Sequence, residues 1–226
     1  DIGCGWGGLA MHAARNFDVE VLGVTLSRAQ AELASTRIRD AGLQDRCRVE
    51  LRDYREAQAG EGFDKLVSIG MYEHVARTAL RDYFDHAYRL LVPGGVFLAH
   101  GIASSVAEPG NPGPSFLSTH VFPDHDLVPV STVLVAAEQA LFEVRDVESL
   151  REHYTLTARR WLERLEARGD EARAATNDAV YRVWRLLLAA SAHRFSSGYV
   201  NVYQTLFAKP DDGASGLPLS RADWYR

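Results

Sequence analysis

The chain opens with Asp1-Ile2-Gly3-Cys4-Gly5-Trp6-Gly7. Glycines adopt backbone angles that other residues avoid, so a strand can turn sharply here beneath a ligand. Apolar residues then recur at near-helical spacing from Leu9 to Phe17, which predicts a helix directly after the turn. A strand, a glycine-rich turn and a helix predict the nucleotide-binding corner of an open α/β sheet, where ligands bind at the carboxyl ends of the strands.

The spacing of the glycines narrows the choice of ligand. The pattern is G-x-G-x-G and differs from the G-x-G-x-x-G of dinucleotide-binding proteins. Asp1 ends the strand, and its carboxylate would repel a phosphate but can bind an amino group or a ribose hydroxyl. We therefore expect an adenosyl ligand that carries an amino acid, namely S-adenosylmethionine. The alternative that remains open is a tight turn that serves only helix packing.

Composition sets further limits. The 226 residues are 46% hydrophobic, enough for one substantial core with an appended subdomain. The net charge of -5 argues against a nucleic-acid binder that relies on bulk electrostatics. Two cysteines are too few for a disulfide framework or a zinc site, which favours a reducing, cytoplasmic setting. The chain has no initial Met and no strand ahead of Asp1, so we expect it to be a fragment.

Strands and helices alternate over the first hundred residues. The patterns predict strands at 19–25, 48–51, 63–69 and 96–100, and helices after the glycine turn, at 28–41 with Ser27 as N-cap, and at 78–91. Such alternation predicts an α/β fold, a Rossmann-like, doubly wound and mostly parallel sheet with helical insertions that cover the substrate. We expect one domain over 1–208 and a surface tail over 209–226.

The second half is less regular. Residues 103–115 hold three prolines and two glycines and predict a loop, and we expect 103–123 to face the substrate. Helices are predicted at 130–140, 154–168 and 177–196, an exposed strand at 143–149, and a closing antiparallel edge strand at 199–208. We expect Trp161, Trp184 and Phe195 in the core or in a pocket wall. His120, His125 and His153 show no metal-ligand spacing and are expected at the surface.

Several motifs in order along the chain indicate a family. They are the turn at 1–8, Val-Thr-Leu-Ser at 24–27 with Gln30, Asp-Tyr-Arg at 53–55, Val-Ser-Ile-Gly-Met-Tyr-Glu-His at 67–74, the 90–95 segment, His100 with Ile102, His-Tyr at 153–154 with Thr157 and Trp161, and the 181–195 segment. This set resembles the cyclopropane-fatty-acyl-phospholipid synthases and the related mycolic acid cyclopropane synthases, which are class I S-adenosylmethionine-dependent methyltransferases. The resemblance runs to about residue 208.

The resemblance implies two groups of site residues. The cofactor-binding group comprises Asp1, Gly3, Cys4, Gly5, Trp6, Gly7, Thr25, Leu26, Gln30, Asp53 and Tyr54. The catalytic group comprises Glu73, His100, the backbone of Ile102, and Tyr154, which correspond to residues around a bicarbonate ion in the family. A further bicarbonate ligand of the family is a cysteine ahead of the first strand, which this sequence lacks. No metal ion is implied.

The chemistry explains why these residue types would be needed. Methyl transfer from a sulfonium to an alkene leaves a carbocation, which closes to a ring when it loses a proton to a base such as bicarbonate. His100, Tyr154 and a backbone N–H would donate to that anion, and Glu73 would accept its hydroxyl proton. Aromatic faces at Tyr72, Phe116 and Tyr154 would steady the cation.

Each catalytic assignment has a structural alternative. Glu73 with His74 could only cap the next helix, His100 could be a hydrogen-bonded core histidine, and Tyr154 could anchor its helix by packing. The sequence also departs from the family at two places. Gly101 stands between His100 and Ile102 where the family commonly has Thr, and residues 121–125 lack the two glycines that usually follow the proline.

From the resemblance we expect methyl or methylene transfer to the double bond of an unsaturated fatty acyl chain, giving a cyclopropane or methyl-branched product. The expected substrate is a phospholipid, reached by peripheral contact with the inner face of the membrane, with no nucleic-acid partner; a homodimer is also consistent with the resemblance. One alternative is a class I methyltransferase that acts on a soluble small molecule. Another is a cofactor-binding protein that has lost catalysis.

Overall fold

The computed structural model describes residues 1–58, 60–106 and 115–225. Its first half alternates helices and strands, as the sequence predicts. The elements are α1 (Gly8–Asn16), β1 (Val21–Thr25), α2 (Arg28–Asp40), β2 (Cys47–Leu51), β3 (Phe63–Ile69), α3 (Leu80–Leu90) and β4 (Leu91–Ser104). Ser27 caps α2 by accepting a hydrogen bond from the backbone N–H of Gln30, at 3.3 Å.

In the described part of the second half, five helices and two strands follow. They are α4 (Phe116–His120), α5 (Val130–Gln139), β5 (Glu143–Ser149), α6 (Arg151–Ala167), α7 (Gly169–Ala175), α8 (Asp178–Ser196) and β6 (Val200–Ala208). The expected loop at 103–115 is wrong for residues 103 and 104, which continue β4, and its part at 107–114 lies outside the described residues. Helix α7 has no counterpart among the elements that the sequence predicts.

The sheet combines parallel and antiparallel pairing. Strands β1 and β2 pair in parallel, as do β3 and β4. Ile2 joins these pairs, because it forms parallel bridges to Val24 of β1 and to Ser68 of β3. The remaining order is β3-β4-β6-β5, with β6 antiparallel to both neighbours. The mixed α/β fold with a mostly parallel first half is therefore confirmed.

Strand β6 does not lie at the edge of the sheet. It is antiparallel, as predicted, but it inserts between β4 and β5, so β5 forms the edge. Its side chains at Val202, Phe207 and Ala208 are fully buried. Because successive side chains of a strand point to opposite faces, both faces of the sheet are covered at positions 207 and 208. The prediction of an edge strand was therefore wrong.

Helix α3 and the sheet form the main core. The buried residues of α3 recur three or four positions apart, which gives the helix one apolar face; they are Leu80, Tyr83, Phe84, Ala87 and Leu90. The ring of Phe84 packs edge-on against Phe207 of β6, with 5.4 Å between centroids. This core fixes β4 and β6 beneath the site described below.

The C-terminal tail is mostly exposed, in line with the prediction of a surface segment. It is nevertheless tied to the sheet. Arg221 forms an ion pair with Asp146 of β5, whose side chain is buried. A short 3₁₀ turn at Ala222–Tyr225 follows.

The length of β4 positions the candidate site. The last parallel pair joins Ile69 of β3 to His100 of β4, and β4 then continues to Ser104. Beyond His100, the backbone N–H groups of β4 on this side therefore have no strand to pair with. Buried N–H groups need other acceptors. The carboxylate of Glu73 accepts from the N–H of Ile102, and the carbonyl of Val128 accepts from the N–H of Ser104.

Candidate active site

The predicted site residues gather at the carboxyl ends of the strands. Gly3 to Gly7 follow the bridge at Ile2, and Thr25 and Leu26 end β1. Asp53 and Tyr54 follow β2, Glu73 follows β3, and His100 and Ile102 lie near the end of β4. Because parallel strands have their carboxyl ends on the same side of the sheet, these segments lie along that side, which is called the carboxyl edge below. The exception is Tyr154, which reaches this edge from α6.

The three glycines of the opening turn have different surroundings. A Cβ atom on Gly3 would lie 3.0 Å from Met71, and one on Gly7 would lie 3.0 Å from Ala34 of α2. Close packing and positive φ angles of 78° and 76° therefore both favour glycine at these two positions. Gly5 has a φ of 55°, and no heavy atom lies within 4 Å of the place where its Cβ would be. The open space above the turn is at Gly5, where a ligand can approach the backbone.

The side chains of the turn also differ in whether a ligand can reach them. Cys4 is buried, with its Sγ atom 2.8 Å from the Cβ position of Gly23, and burial raises the pKa of its thiol. Cys4 can thus offer only its backbone to a ligand. Trp6 leaves 49% of its surface exposed, and Asp1 is half-buried. The ring of Trp6 and the carboxylate of Asp1 remain candidates for direct contact.

The end of β1 presents a polar pair and an exposed apolar residue. Thr25 donates a hydrogen bond from its hydroxyl to Oε1 of Gln30, at 2.7 Å. Leu26 leaves 72% of its surface exposed. A large exposed leucine beside a glycine turn suits the flat apolar face of an adenine.

Asp53 and Tyr54 lie at the end of β2. Asp53 accepts hydrogen bonds from the backbone N–H of Arg55, at 2.9 Å, and from its Nε atom, at 3.0 Å. These bonds hold the pKa of the Asp53 carboxyl below its usual range. The ring of Tyr54 packs edge-on against Tyr83, with 5.4 Å between centroids. The open space at Gly5, the exposed Leu26 and the fixed carboxylate of Asp53 together fit an adenosyl ligand.

Glu73 supplies a hydrogen-bond acceptor to β4 where this strand extends beyond the end of β3. It lies in a 3₁₀ turn at Tyr72–His74 and is only 6% exposed. Its Oε1 atom accepts a hydrogen bond from the backbone N–H of Ile102, at 2.7 Å. Its Oε2 atom is buried and has no partner within the described part of the chain. Burial raises the pKa of Glu73 to about 7, although the bond from Ile102 opposes the rise.

His100 and Tyr154 form a second pair. The Nε2 atom of His100 lies 2.8 Å from the hydroxyl of Tyr154. His100 is 8% exposed, and its buried Nδ1 atom has no partner among residues 1–58, 60–106 and 115–225. Burial lowers the pKa of His100, so the ring is neutral at pH 7. Burial, and then the charge of Glu73, raise the pKa of Tyr154. The two pairs are linked through β4, because Ile102, which donates to Glu73, lies two residues beyond His100.

The four residues offer a defined set of hydrogen-bonding groups. A neutral histidine and a tyrosine carry one N–H and one O–H, and one of these is used between His100 and Tyr154. One donor therefore remains on this pair, and one acceptor remains on Glu73. An acceptor and a donor fit a small ion that carries both a hydroxyl and a charged oxygen. The expected third donor, the N–H of Ile102, is directed to Glu73 instead.

A cavity of about 130 Å³ lies against this site. Glu73 and Ile102 line one part of it. Most of the remaining wall is apolar and comes from α4, α8 and the segments beside them, including Leu117, Phe122, Leu127, Leu187, Phe195 and Val200. Tyr154 does not line the cavity itself, but its ring packs on Phe195, with 5.5 Å between centroids. An apolar chain can therefore reach Glu73 through this cavity.

The cavity changes which aromatic residues are candidates for contact with a substrate. Phe122 and Phe195 line it, whereas the expected Tyr72 and Phe116 do not. Tyr72 is 3% exposed and packs against the backbone of β4. The periodicity of the sequence could not reveal this, because a 3₁₀ turn of three residues has no repeat to detect.

Other predictions for aromatic residues and histidines had mixed outcomes. Phe195 is buried and lines the cavity, as predicted. Trp161 and Trp184 each leave 45% of their surface exposed, so the expectation of core or pocket wall is wrong for both. His120 and His153 are exposed, as predicted, whereas His125 is half-buried and lines the cavity. The described residues include no group of three or more side chains arranged to hold a metal ion.

Sequence and structure comparisons identify the family. The profile described as "Mycolic acid cyclopropane synthetase" matches residues 1–205. A probable fatty acid methyltransferase from Pseudomonas putida is 40% identical, with 100% of this chain and 58% of that protein covered. The cyclopropane-fatty-acyl-phospholipid synthase of Escherichia coli K12 is 33% identical, with 98% and 55% covered. The chain thus spans just over half the length of these relatives.

Comparison with solved structures points to the same family. The cyclopropane synthase MmaA2 from Mycobacterium tuberculosis superposes with a TM-score of 0.84 at 30% identity, covering 92% of this chain and 76% of that one. The mycolic acid cyclopropane synthase CmaA1, in complex with SAH and CTAB, also gives 0.84, at 32% identity and the same coverage. The profile, the relatives and the shared fold agree, and the chain belongs to the mycolic acid cyclopropane synthetase family.

Proposed function

We propose that this protein transfers a methyl or methylene group from S-adenosylmethionine to the double bond of an unsaturated fatty acyl chain, giving a cyclopropane or methyl-branched product. The observation that carries the proposal is the buried carboxylate of Glu73. One of its oxygens is held by Ile102, and the other is buried without a partner among the described residues, at a cavity with a mainly apolar wall. His100, two residues before Ile102 on β4, forms a second pair with Tyr154. A buried group with a perturbed pKa at the end of a hydrophobic cavity is typical of an active site.

The cofactor would bind along the glycine turn. Gly5 would let the backbone approach the methionine part, Leu26 and Tyr54 would flank the adenine, and Thr25 with Gln30 would contact the ribose. Asp1 would bind the amino group. When bound, S-adenosylmethionine supplies an electrophilic methyl group, whose transfer to the double bond leaves a carbocation on the acyl chain. The solved complex of CmaA1 with SAH supports S-adenosylmethionine as the cofactor.

The catalytic residues would hold the base that removes the proton. Bicarbonate, when bound, supplies that base. Glu73 in its ionised form would accept the hydroxyl proton of the ion through Oε2, so that a basic oxygen faces the substrate. The donor that remains on the His100–Tyr154 pair would hold a second oxygen. Ile102 would act through Glu73, since its N–H fixes that carboxylate.

The cavity would protect the carbocation. Its wall is mainly apolar, so water, which would hydrate the cation, is kept from the reacting carbons. The aromatic faces of Phe122 and Phe195 lie along the same wall, and each can stabilise a nearby cation by up to about 2 kcal/mol when desolvated. A volume of 130 Å³ equals roughly four water molecules at about 30 Å³ each, so the cavity holds a short segment of an acyl chain around the double bond.

The substrate is proposed to be a phospholipid of the inner membrane face, reached by peripheral contact from the cytoplasm. No helix in the described ranges is long and apolar enough to cross a membrane. Exposed apolar side chains on α6 and α8, namely Leu156, Trp161, Trp184 and Leu186, support a contact with the lipid surface. Sedimentation with phospholipid vesicles tests this contact: a Trp161→Ala, Trp184→Ala double variant should bind vesicles more weakly. A homodimer is also proposed and is tested by analytical ultracentrifugation.

The experiment that tests the function uses the purified protein and vesicles of an unsaturated phospholipid. Mass spectrometry of the acyl chains should show a gain of one methylene that requires S-adenosylmethionine. Proton NMR then separates a cyclopropane ring from a methyl branch. Turnover should fall when bicarbonate is removed and recover when it is added back.

Two variants test the role of Glu73 in the same assay. Glu73→Gln should reduce turnover by a factor on the order of 100 or more, because the amide cannot accept through the position of Oε2. Glu56→Gln, at an exposed position of the same chain, is the control and should leave turnover unchanged. Tight cofactor binding without any lipid product would contradict the proposal, and product on a soluble acceptor would favour the small-molecule alternative.

A further inference from the structure

Gly101 lies between two residues of the proposed catalytic group, His100 and Ile102. Its surroundings explain why this chain has glycine there. A Cβ atom on Gly101 would lie 2.4 Å from Cε1, 2.5 Å from Cζ and 2.9 Å from the hydroxyl of Tyr72. The ring of Tyr72 therefore occupies the space that a side chain at position 101 would need.

The contact belongs to a clamp between two adjacent pairs of residues. Tyr72 of the 3₁₀ turn packs on Gly101 of β4. One residue further along each segment, Glu73 accepts a hydrogen bond from the backbone N–H of Ile102, at 2.7 Å. The 3₁₀ turn is thus fixed to β4 at two successive points. We infer that Gly101 is a positioning residue for Glu73: the missing side chain lets the Tyr72 ring lie on β4 and thereby sets the carboxylate at Ile102. This inference rests on the proposed function.

Neither side of the clamp can move freely. Gly101 pairs with Tyr203 and Ile102 with Val202 in the antiparallel ladder to β6, which holds β4 in place. Tyr72 is 3% exposed and belongs to the main core cluster. An added methyl group would have to push the ring back by about 1 Å to reach an ordinary contact distance of 3.4 Å. Because Glu73 is the next residue, its carboxylate would move with the ring.

The test compares Gly101→Ala with a matched glycine of the same strand. A Cβ on Gly95 would also be crowded, at 2.9 Å from the carbonyl oxygen of Val92, but Gly95 lies at the other end of β4. Both substitutions should lower stability. Only Gly101→Ala should lower kcat on the phospholipid, by a factor on the order of 100, since a displacement of about 1 Å is known to cost that much. The KM for S-adenosylmethionine should stay unchanged.

A second readout does not depend on turnover. Hydrogen–deuterium exchange of the Ile102 amide, resolved by NMR, reports its bond to Glu73 directly. Exchange should become faster in Gly101→Ala by a factor on the order of ten or more, which corresponds to loss of a hydrogen bond to a charged group. It should remain at the wild-type rate in Gly95→Ala. If the wild-type protein modifies no lipid, the proposed function fails, while the amide measurement still tests the clamp.

A double variant separates the clamp from simple misfolding. Tyr72→Leu removes the ring, so Tyr72→Leu with Gly101→Ala should fold better than Gly101→Ala alone and should recover part of the Ile102 protection. Tyr72→Phe should give no recovery, because the two closest ring carbons remain. The inference is overturned if a folded Gly101→Ala keeps wild-type kcat and wild-type exchange at Ile102. It is also overturned if the double variant folds no better than Gly101→Ala.

Discussion

The buried carboxylate of Glu73 should make the protein less stable as the pH rises. The pKa of this group is about 7 in the folded protein, against an ordinary value of 4.5. Between these values the folded state binds more protons than the unfolded state, so the free energy of unfolding falls with increasing pH. A shift of this size corresponds to about 3 kcal/mol, present in full below pH 4.5 and lost by the time the pH passes 7.

The Glu73→Gln variant isolates this contribution. The amide has the same shape, does not titrate, and can still accept the bond from Ile102 through its oxygen. Relative to wild type, the variant should therefore gain about 3 kcal/mol in the free energy of unfolding between pH 4.5 and pH 8. Urea unfolding at several pH values measures both proteins. Turnover should be lost in the same variant, so stability and activity would change in opposite directions above pH 7.

The exposed Glu56 provides the control for this series. Glu56→Gln removes an exposed carboxylate and leaves Glu73 in place, so the contribution of Glu73 to the pH dependence of stability should remain in this variant. If Glu73→Gln and wild type differ by the same amount at pH 5 and pH 8, then Glu73 does not titrate near neutrality. The description of a buried carboxylate held by one backbone N–H would then be wrong.

Three further variants probe other parts of the molecule. Tyr154→Phe removes the hydroxyl that contacts His100 at 2.8 Å, so turnover should fall by a factor on the order of 100 while cofactor affinity, measured by calorimetry, stays unchanged. Gly5→Ala should weaken cofactor binding and cost about 1 to 2 kcal/mol of stability, because its φ is 55°. Lys209→Met should lower the free energy of unfolding by about 2 kcal/mol, since the ammonium donates to two backbone carbonyls at the C-terminal end of α3. Turnover per folded molecule should then be unaffected.

Local signals explain why the first half of the fold could be predicted from the sequence. Strand β3 was predicted over the same residues that it occupies, because a short apolar run lies between polar segments. Ser27 caps α2 through a contact only three residues along the chain. The position of β6 depends instead on which strands it meets far away in sequence, and no local pattern carries that information. Helix α7 has no apolar repeat, and its Gly169 is buried against Tyr181 of α8.

In the candidate site, the sequence indicated which side chains take part but not how the backbone arranges them. The resemblance named Glu73, His100, Ile102 and Tyr154, and the structure brings all four to one edge. The sequence did not reveal that the N–H of Ile102 faces Glu73, because this donor is available only where β4 extends past β3. It also did not reveal that Phe122 and His125 line the cavity, because their segment approaches Glu73 through a backbone bond, from the N–H of Asp126 to the carbonyl of Glu73, at 2.7 Å.

Glu73 therefore serves the fold and the proposed chemistry with different oxygens. A carboxylate that replaces a missing strand partner needs one acceptor, and Oε1 supplies it to Ile102. A structural role alone would leave no reason to bury the second oxygen without a partner, since burying an unsatisfied polar atom costs about 1 to 3 kcal/mol. Oε2 is buried without a partner among the described residues, and this supports the small-ion site proposed above. Gly101, as inferred above, helps to hold this carboxylate in place, because it lets the ring of Tyr72 pack against β4.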